Sequence, residues 1–297
     1  MKNRKGFLQT GFLTLIAVAL TAPVSSEKSS GSGLDRKNRA WTEQGVFSIL
    51  TYNVAGLPEP FSGSRPAKYS QLISPRLNDF DLVLTQEDFW YHRDLVSASK
   101  FPHVAKRSRA GTLGDGLSRF SRFPMSEVQH EAWRACSGYL RRGSDCMTAK
   151  GFAWARHELA PGIWLDVYDL HMDAGRDPGD QEARAAEMDQ LIAAIRRHSA
   201  GRALIVAGDW NLYCQRPRDR AVLQKLLDEE HLTDVCRALN CGEERVDRIL
   251  FRGSAELELI PRAYRLEVER FQNDQGGQLS DHKAVSATFA WKYLGAD

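Results

Sequence analysis

This chain of 297 residues lacks a hydrophobic segment long enough to cross a membrane. The apolar run from Phe12 to Leu20 is shorter than the ~20 residues that a spanning helix requires. Small residues follow it, and three basic residues precede it: Lys2, Arg4 and Lys5. This pattern is typical of a signal peptide. We therefore predict a signal peptide over 1–26, a flexible Ser/Gly-rich leader over 27–40, and export to the periplasm or out of the cell.

Neither sign of charge is in large excess. The chain has 40 Lys and Arg against 38 Asp and Glu. Loss of Lys2, Arg4 and Lys5 with the predicted signal peptide leaves 37 basic residues against 38 acidic ones, a net charge near −1. Proteins that bind nucleic acid chiefly through its phosphates carry a clear basic excess. The composition therefore contains no general nucleic-acid footprint.

Cysteine is scarce, and the absence of a Cys-x-x-Cys pair argues against a zinc site. Five cysteines in an exported chain predict disulfides and one remaining thiol. Cys136 and Cys146 flank a polar loop that contains glycine, and we predict that they pair. Two arrangements stay open for the other three. Cys214 bonds Cys236 or Cys241 and tethers the loop in which it lies, or Cys236 bonds Cys241.

Apolar runs of strand-like composition alternate with a few helical segments. The predicted strands are 46–52, 81–85, 116–121, 152–155, 163–170, 203–207, 246–251, 264–269 and 283–289. The predicted helices are 67–78 with an interruption at Pro75, 180–198 and 219–228. Strands with helices between them predict an α/β (α+β) fold, a four-layer α/β/β/α sandwich of two packed mixed sheets flanked by helices. No internal repeat is visible, so we predict one domain over 41–297.

Short polar motifs stand at the ends of the strand-like runs. In chain order they are Asn53, Gln86-Glu87, His171, Gly208-Asp209-Trp210-Asn211, Asp247 and Ser280-Asp281-His282. Any one of them could be a turn, since Asp, Asn and Gly cluster where chains reverse. Together they supply what metal-assisted hydrolysis of a phosphate ester requires: a carboxylate ligand, a group that activates water, amide donors and two histidines.

Four of these motifs indicate specific chemistry. A carboxylate at a strand end, as at Glu87, can hold a hard cation through oxygen. Alternation in an extended segment places Asp209 and Asn211 on one face, where they can orient a water and hold a phosphoryl oxygen. Asp247 paired with His282 would set the tautomer of the imidazole and raise its basicity.

Aromatic residues follow Glu87 directly, at Phe89, Trp90 and Tyr91. Two interpretations stay open. We favour ordinary core packing, and the alternative is a wall of the substrate site or an edge that touches a membrane.

The ordered motif set is similar to that of the endonuclease/exonuclease/phosphatase superfamily, which includes deoxyribonuclease I and neutral sphingomyelinases. The resemblance covers nearly all of the predicted mature chain and implies a catalytic domain. It implies these site residues: Glu87, Asn53 and Asp281 as metal ligands; His171, Asp209, Asp247 and His282 as catalytic residues; Asn211 as a substrate-binding residue. Asp209 would orient or activate the attacking water, and Asn211 would hold the scissile phosphate. The implied ion is Mg²⁺, with Mn²⁺ as the alternative.

Other segments resemble particular branches of the superfamily. The segment from Gly114 to Pro124 resembles one in sphingomyelinases, and Lys150-Gly151 resembles their Lys-Gly motif, which implies that Lys150 binds substrate. Their His-x-Gln-Ala motif stands here as His171-Met172-Asp173-Ala174, with Asp in place of Gln. By contrast, Asp247-Arg248-Ile249 resembles deoxyribonuclease I.

Resemblance and charge together predict an exported Mg²⁺-dependent phosphodiesterase. A phospholipid headgroup is the preferred substrate, because a headgroup requires little net positive charge. Extracellular DNA or RNA comes second and a phosphoinositide or other small phosphoester third. A catalytically silent binding module is the alternative outside the enzymes. We expect a monomer without a stable protein partner, and peripheral contact with membranes.

Overall fold

The computed structural model describes residues 43–59, 65–105, 107–108, 113–138, 145–242 and 245–295. The predicted signal peptide and leader lie outside these residues. Among the helices of the described ranges, none combines the length and the apolar character that a membrane span requires.

Within the described residues, twelve strands form two six-stranded sheets. The strands are β1 (Gln44–Asn53), β2 (Leu82–Gln86), β3 (His103–Val104), β4 (Ser118–Ser121), β5 (Gln129–Ala132), β6 (Gly151–Ala160), β7 (Ile163–His171), β8 (Leu204–Asp209), β9 (Thr233–Asp234), β10 (Asp247–Arg252), β11 (Leu257–Leu266) and β12 (Val285–Tyr293). The first sheet has the order β11-β12-β1-β2-β4-β3, and the second has the order β5-β6-β7-β8-β10-β9. Each sheet is mixed, because β1 and β2 are parallel, as are β7 and β8, while the other pairs are antiparallel.

Helices cover the outer faces of both sheets. They are α1 (Pro66–Leu77), α2 (His92–Leu95), α3 (Pro178–Ser199), α4 (Pro217–Glu229) and α5 (Val235–Ala238). Ile73 of α1 packs with Leu50 and Val83 of the first sheet. Leu191 of α3 packs with Val206 of the second sheet. The predicted four-layer sandwich is confirmed.

Strand alternation separates the layers of the core. Ile49, Leu84 and Val167 belong to the cluster between the two sheets, whereas their neighbours Leu50 and Val83 belong to the cluster under α1. Side chains that alternate between two buried faces produce nearly continuous apolar strands. This composition made the central strands recognisable in the sequence.

Two local predictions differ from the structure. The strand expected at 264–269 runs instead over Leu257–Leu266, at the edge of the first sheet. Pro261 lies at a shift of its register with β12, and proline is tolerated in strands at edges and bulges. Helix α1 is not interrupted at Pro75 but continues to Leu77. So close to the end of a helix, proline removes little of the hydrogen-bond ladder.

Strand register brings the polar motifs to one end of both sheets. Asn53 pairs with Gln86 across the parallel strands β1 and β2. In the second sheet Asp209 is the register partner of both His171 and Asp247. The fold therefore assembles residues that are far apart in the chain.

Candidate active site

Asn53 links the two sheets at this end of the sandwich. Its Nδ2 donates hydrogen bonds to Glu87 Oε1 and to Asp209 Oδ2, both at 3.1 Å. Its Oδ1 accepts the backbone N–H of Ala55 at 3.0 Å, which holds the amide in this orientation. The side chain is 1% exposed. One amide thus holds two carboxylates from different sheets within reach of a common ligand.

Glu87 has an unusual backbone conformation. Its φ of 57° lies in the left-handed region, which residues with a Cβ seldom adopt. A Cβ at Gly56 would overlap the carbonyl oxygen of Glu87, so the chain after β1 closes tightly on this residue. Such strain persists where the surrounding structure enforces it, commonly at functional sites. The carboxylate is partly exposed and faces the cleft between the sheets.

His171 ends β7 and is buried beside the same carboxylates. Its Nε2 lies 3.3 Å from Asp209 Oδ2 and 4.0 Å from Glu87 Oε1. The indole N–H of Trp133 donates to its carbonyl oxygen at 2.7 Å. Trp133 was not among the predicted site residues, because no local pattern relates it to a strand 38 positions away.

His282 is held by Asp247. Its Nδ1 lies 2.9 Å from Asp247 Oδ2 and 3.1 Å from Oδ1, and its Nε2 lies 3.7 Å from Asp209 Oδ2. Burial alone lowers the pKa of His282, but the charges of Asp247 and Asp209 outweigh burial and raise the pKa to about 10. An imidazolium is therefore the stable form at neutral pH in this set of charges.

The two aspartates respond differently to this imidazolium. Burial raises the pKa of Asp209, but the charge of His282 and the hydrogen bond of His171 are stronger and lower the pKa below its usual range. For Asp247, burial raises the pKa, and contact with His282 offsets only part of that effect. Asp209 is accordingly the better-ionised acceptor in the cleft.

The loop after β8 places Asn211. A Cβ at Gly208 would overlap the carbonyl oxygen of Leu170, so glycine permits the close approach of β7 and β8. Asn211 has a φ of 48°, and its backbone N–H donates to Asp209 Oδ1 at 3.1 Å. Trp210 points away from the cleft and is fully buried in the core under the helices. Asp209 and Asn211 therefore stay together although the chain turns between them.

Lys150 lies next to Asn211. The ammonium of Lys150 and the amide Nδ2 of Asn211 donate to the same carbonyl oxygen, that of Met172, at 3.4 and 3.1 Å. Lys150 is 9% exposed and Asn211 is 6% exposed. These two predicted substrate-binding residues are thus neighbours, and both border Asp209.

Asp281 occupies a more external position. It is exposed, and its Oδ1 accepts from Ser280 Oγ at 3.3 Å. Ser280 Oγ also lies 2.7 Å from the carbonyl oxygen of Asn53, and it accepts the N–H of His282 at 3.1 Å. Asp281 is therefore joined to Asn53 through Ser280. The sequence motif includes Ser280, but no role was predicted for it.

The donors in the cleft fit a hard divalent cation. Such ions take carboxylate and amide oxygens, and Glu87, Asn53 and Asp209 offer these groups within one hydrogen-bonded cluster. A second grouping has one ligand atom from each of Asp209, Asp247 and His282, all within 4.8 Å of one another. The sequence prediction had assigned these three residues catalytic roles rather than ligand roles.

Both disulfides lie in the described part of the chain. Cys136 bonds Cys146, as predicted, with Cα atoms 5.3 Å apart. Of the two open arrangements, the structure has the bond between Cys236 and Cys241, with Cα atoms 5.0 Å apart. The first disulfide borders the site, because the N–H of neighbouring Ser137 donates to Asp173 Oδ2 at 2.5 Å.

Phe89 and Trp90, which follow Glu87, differ in burial. Phe89 is 4% exposed, packed in the protein interior, whereas Trp90 is 60% exposed. The backbone N–H of Trp90 donates to the carbonyl oxygen of Gly56 at 3.3 Å, which ties the main chain close to Glu87 to the segment after β1. Core packing is therefore correct for Phe89 and wrong for Trp90.

The sequence is similar to a known protein family and to a named relative. The sequence profile of the Endonuclease/Exonuclease/phosphatase family matches residues 50–282. A protein of Mycobacterium tuberculosis (strain ATCC 25618 / H37Rv) named Sphingomyelinase is 31% identical over 272 residues. This alignment covers 84% of the present chain and 53% of that protein, so the chain spans about half the length of this relative.

Solved structures share the fold at low sequence identity. The beta toxin of Staphylococcus aureus, in a mutant with bound magnesium ions, has a TM-score of 0.60 and 14% identity over 82% of this chain and 99% of its own. D. rerio TDP2, complexed with a single-strand DNA product, has a TM-score of 0.62 and 18% identity over 82% of this chain and 98% of its own. These likenesses support the two-sheet sandwich.

Proposed function

We propose, because this chain belongs to the endonuclease/exonuclease/phosphatase family, that it hydrolyses phosphodiesters with the help of a divalent metal ion. One observation carries the proposal. The Asn53 amide bonds both Glu87 and Asp209, and Asp209 Oδ2 in turn lies near both histidines. A binding module would have no need for two imidazoles that converge on one ionised carboxylate.

Each group in the cleft has a chemical task. Asp209, kept ionised, orients and polarises the water that attacks phosphorus. His282 donates from Nε2 to a phosphoryl oxygen, since Asp247 occupies its Nδ1. Asn211 and Lys150 border the same space, where an amide and an ammonium stabilise negative charge on the phosphate.

Glu87, Asn53 and Asp281 would hold the cation, which we propose to be Mg²⁺ or Mn²⁺. When bound, the ion neutralises charge on the phosphoryl oxygens. Asn53 donates to the carboxylates of Glu87 and Asp209, while its Oδ1 accepts the N–H of Ala55. The amide would have to release the N–H of Ala55 to turn its Oδ1 toward a cation between the two carboxylates.

A phospholipid is the preferred substrate, as in a sphingomyelinase or phospholipase C. The relative that is 31% identical is named a sphingomyelinase. Trp90 supports this branch, because an exposed indole three residues after Glu87 suits the boundary between water and lipid. Peripheral membrane contact through Trp90 would bring the headgroup to Glu87. A near-neutral surface suffices for such a substrate.

Nucleic acid is the second candidate. The shared fold of a TDP2 bound to single-strand DNA product shows that this sandwich accommodates a polynucleotide in that protein. Small phosphoesters come third. We further propose that residues 1–26 direct export, in keeping with the two disulfides, and that the folded domain of 41–297 acts as a monomer.

The test compares two substrates in parallel. Mature protein is incubated with sphingomyelin vesicles and with plasmid DNA in Mg²⁺, and phosphocholine and nicked DNA are measured. His171→Ala and EDTA should each abolish hydrolysis, whereas His198→Ala, on the outer helix α3, should not. DNA nicking without phosphocholine would move the protein to the nuclease branch. Binding of either substrate without hydrolysis would overturn the enzymatic proposal.

A further inference from the structure

Arg248 follows Asp247 on β10 but lies on the opposite face of the strand. It is 4% exposed, and its guanidinium contacts three separate groups. Nη1 donates to Asp234 Oδ2 at 3.1 Å. Nη2 donates to Cys214 Sγ at 2.9 Å and lies 3.5 Å from the carbonyl oxygen of Leu212. One buried cation therefore joins β10 to the loop that carries Asn211.

Main-chain contacts join the same two segments. The N–H of Trp210 donates to the carbonyl oxygen of Val246 at 2.9 Å, and its indole N–H lies 3.3 Å from the carbonyl oxygen of Arg248. Asn211, between Trp210 and the groups bound by Arg248, has its left-handed φ of 48°. The loop is thus clamped on both sides of the strained residue.

Asp234 gives the guanidinium a rigid base. It is 3% exposed, and its Oδ1 accepts the backbone N–H groups of Cys236 and Arg237 at the start of α5, at 2.8 and 3.4 Å. Because Asp234 is fixed by this cap, Nη1 is anchored and the direction of Nη2 is set by the planar guanidinium. Lysine has one charged nitrogen on a flexible chain and cannot reproduce the two directions.

We infer that Arg248 is a positioning residue that sets Asn211 and Asp209 against the pair of Asp247 and His282. The inference rests on the proposed function for its catalytic consequence. Asp247 reaches the cleft from one face of β10, and Arg248 holds the loop from the other. The guanidinium thereby reinforces the register pairing of Asp209 with Asp247 and the 3.7 Å approach of His282 Nε2 to Asp209 Oδ2.

The test replaces Arg248 by lysine and uses Arg252→Lys as a matched control. Arg252 lies on the same strand, at the end remote from the site, and has a similar set of contacts with Glu230 and Ser199. We expect kcat for the hydrolysed phosphodiester to fall about 10- to 100-fold in Arg248→Lys, since a shift of about 1 Å can cost that much. KM should change less than about twofold, and Arg252→Lys should keep kcat within about twofold.

Cys214→Ala provides a milder variant if Arg248→Lys folds poorly. It removes one of the contacts of Arg248. In the double variant with Arg248→Lys, the fold-loss of kcat should therefore be smaller than the product of the two single fold-losses. With Arg252→Lys, which shares no partner with Cys214, the two effects should multiply. Multiplication in both pairs, or equal losses in the two arginine variants, would overturn the inference.

Hydrogen exchange separates this inference from the proposed function. Amide exchange of the segment 209–214 should be about tenfold faster in Arg248→Lys than in the wild type, and unchanged in Arg252→Lys. If the wild type hydrolyses neither substrate, the proposed function fails, and the exchange result alone decides the positioning role. Unchanged exchange in Arg248→Lys would reject it.

Discussion

The Nδ2 atom of Asn53 lies 3.1 Å from Asp209 Oδ2, a hydrogen bond that joins the two sheets across 156 positions of sequence. Asn53 ends β1 and Asp209 ends β8, so each lies where a central strand of its sheet stops. The same amide donates to Glu87 Oε1, and His171 Nε2 lies 3.3 Å from Asp209 Oδ2 and 4.0 Å from Glu87 Oε1.

Asn53→Ala should reduce kcat/KM by about 100-fold or more, because loss of one preorganised donor in an active site commonly has this effect. The two carboxylates would lose their shared partner and drift apart. Steady-state hydrolysis at saturating Mg²⁺ measures the change. Asn78→Ala, at the C-terminal end of α1, is the control and should retain activity. Equal activity in both variants would contradict the role of Asn53.

Asp247→Asn should lower the pKa of His282, because the variant removes the nearest negative charge and leaves the opposing effect of burial. Nuclear magnetic resonance titration of the imidazole in metal-free protein measures this. Arg252→Lys, whose side chain lies at the other end of β10, should leave the titration unchanged. A His282 pKa still near 10 in Asp247→Asn would refute the assignment of Asp247 as its principal partner.

The same pair predicts how stability depends on pH. The pKa of His282 is about 10 when folded and about 6.5 when unfolded, so the native state binds more protons between these values. The contribution is present below about pH 6.5 and is lost as pH rises toward 10. Between these two pKa values, each rise of one pH unit lowers the free energy of unfolding by about 1.4 kcal/mol. Urea unfolding of metal-free wild type should show this decline, and Asp247→Asn should show less of it.

Glu187→Gln should stabilise the protein at neutral pH and above. Burial, followed by the nearby charge of Asp173, raises the pKa of the Glu187 carboxyl well above its usual value. The wild type is therefore favoured at acidic pH and loses that advantage as pH rises past the usual glutamate range. Thermal unfolding from pH 4 to 9 tests this, with Glu182→Gln on the exposed face of α3 as the control. A parallel pH dependence in both variants would count against it.

Trp90→Ala should weaken binding to sphingomyelin vesicles about 30-fold, since burial of a large aromatic side chain in an interface contributes about 2 kcal/mol. Hydrolysis of a small soluble phosphodiester should stay within about twofold of the wild type, because the indole is 60% exposed whereas His171 and Asp209 are buried. Trp164→Ala, at the opposite end of the second sheet, is the control for vesicle sedimentation. Equal losses on both substrates would argue for a direct role in the site.

Much of the candidate site was visible in the sequence because its residues stand at strand ends. The runs that end at Asn53, Gln86 and Asp209 are mainly apolar, which marked them as central strands. The polar residues at the ends of these strands were therefore expected to lie close together at one end of the sheets. The edge strand Leu257–Leu266 was misplaced for the opposite reason, since its alternating burial and its proline obscure the pattern.

By itself the sequence determined the two-sheet sandwich, the order of the motifs and the pairing of Cys136 with Cys146, because periodicity, composition and local spacing express these features directly. Tertiary structure decided the contact of Asn53 with Asp209, the burial of Phe89 beside an exposed Trp90, and the clamp of Arg248 on Cys214. Each of these depends on how distant segments pack and on strand register. Such long-range packing leaves no local periodicity in the chain.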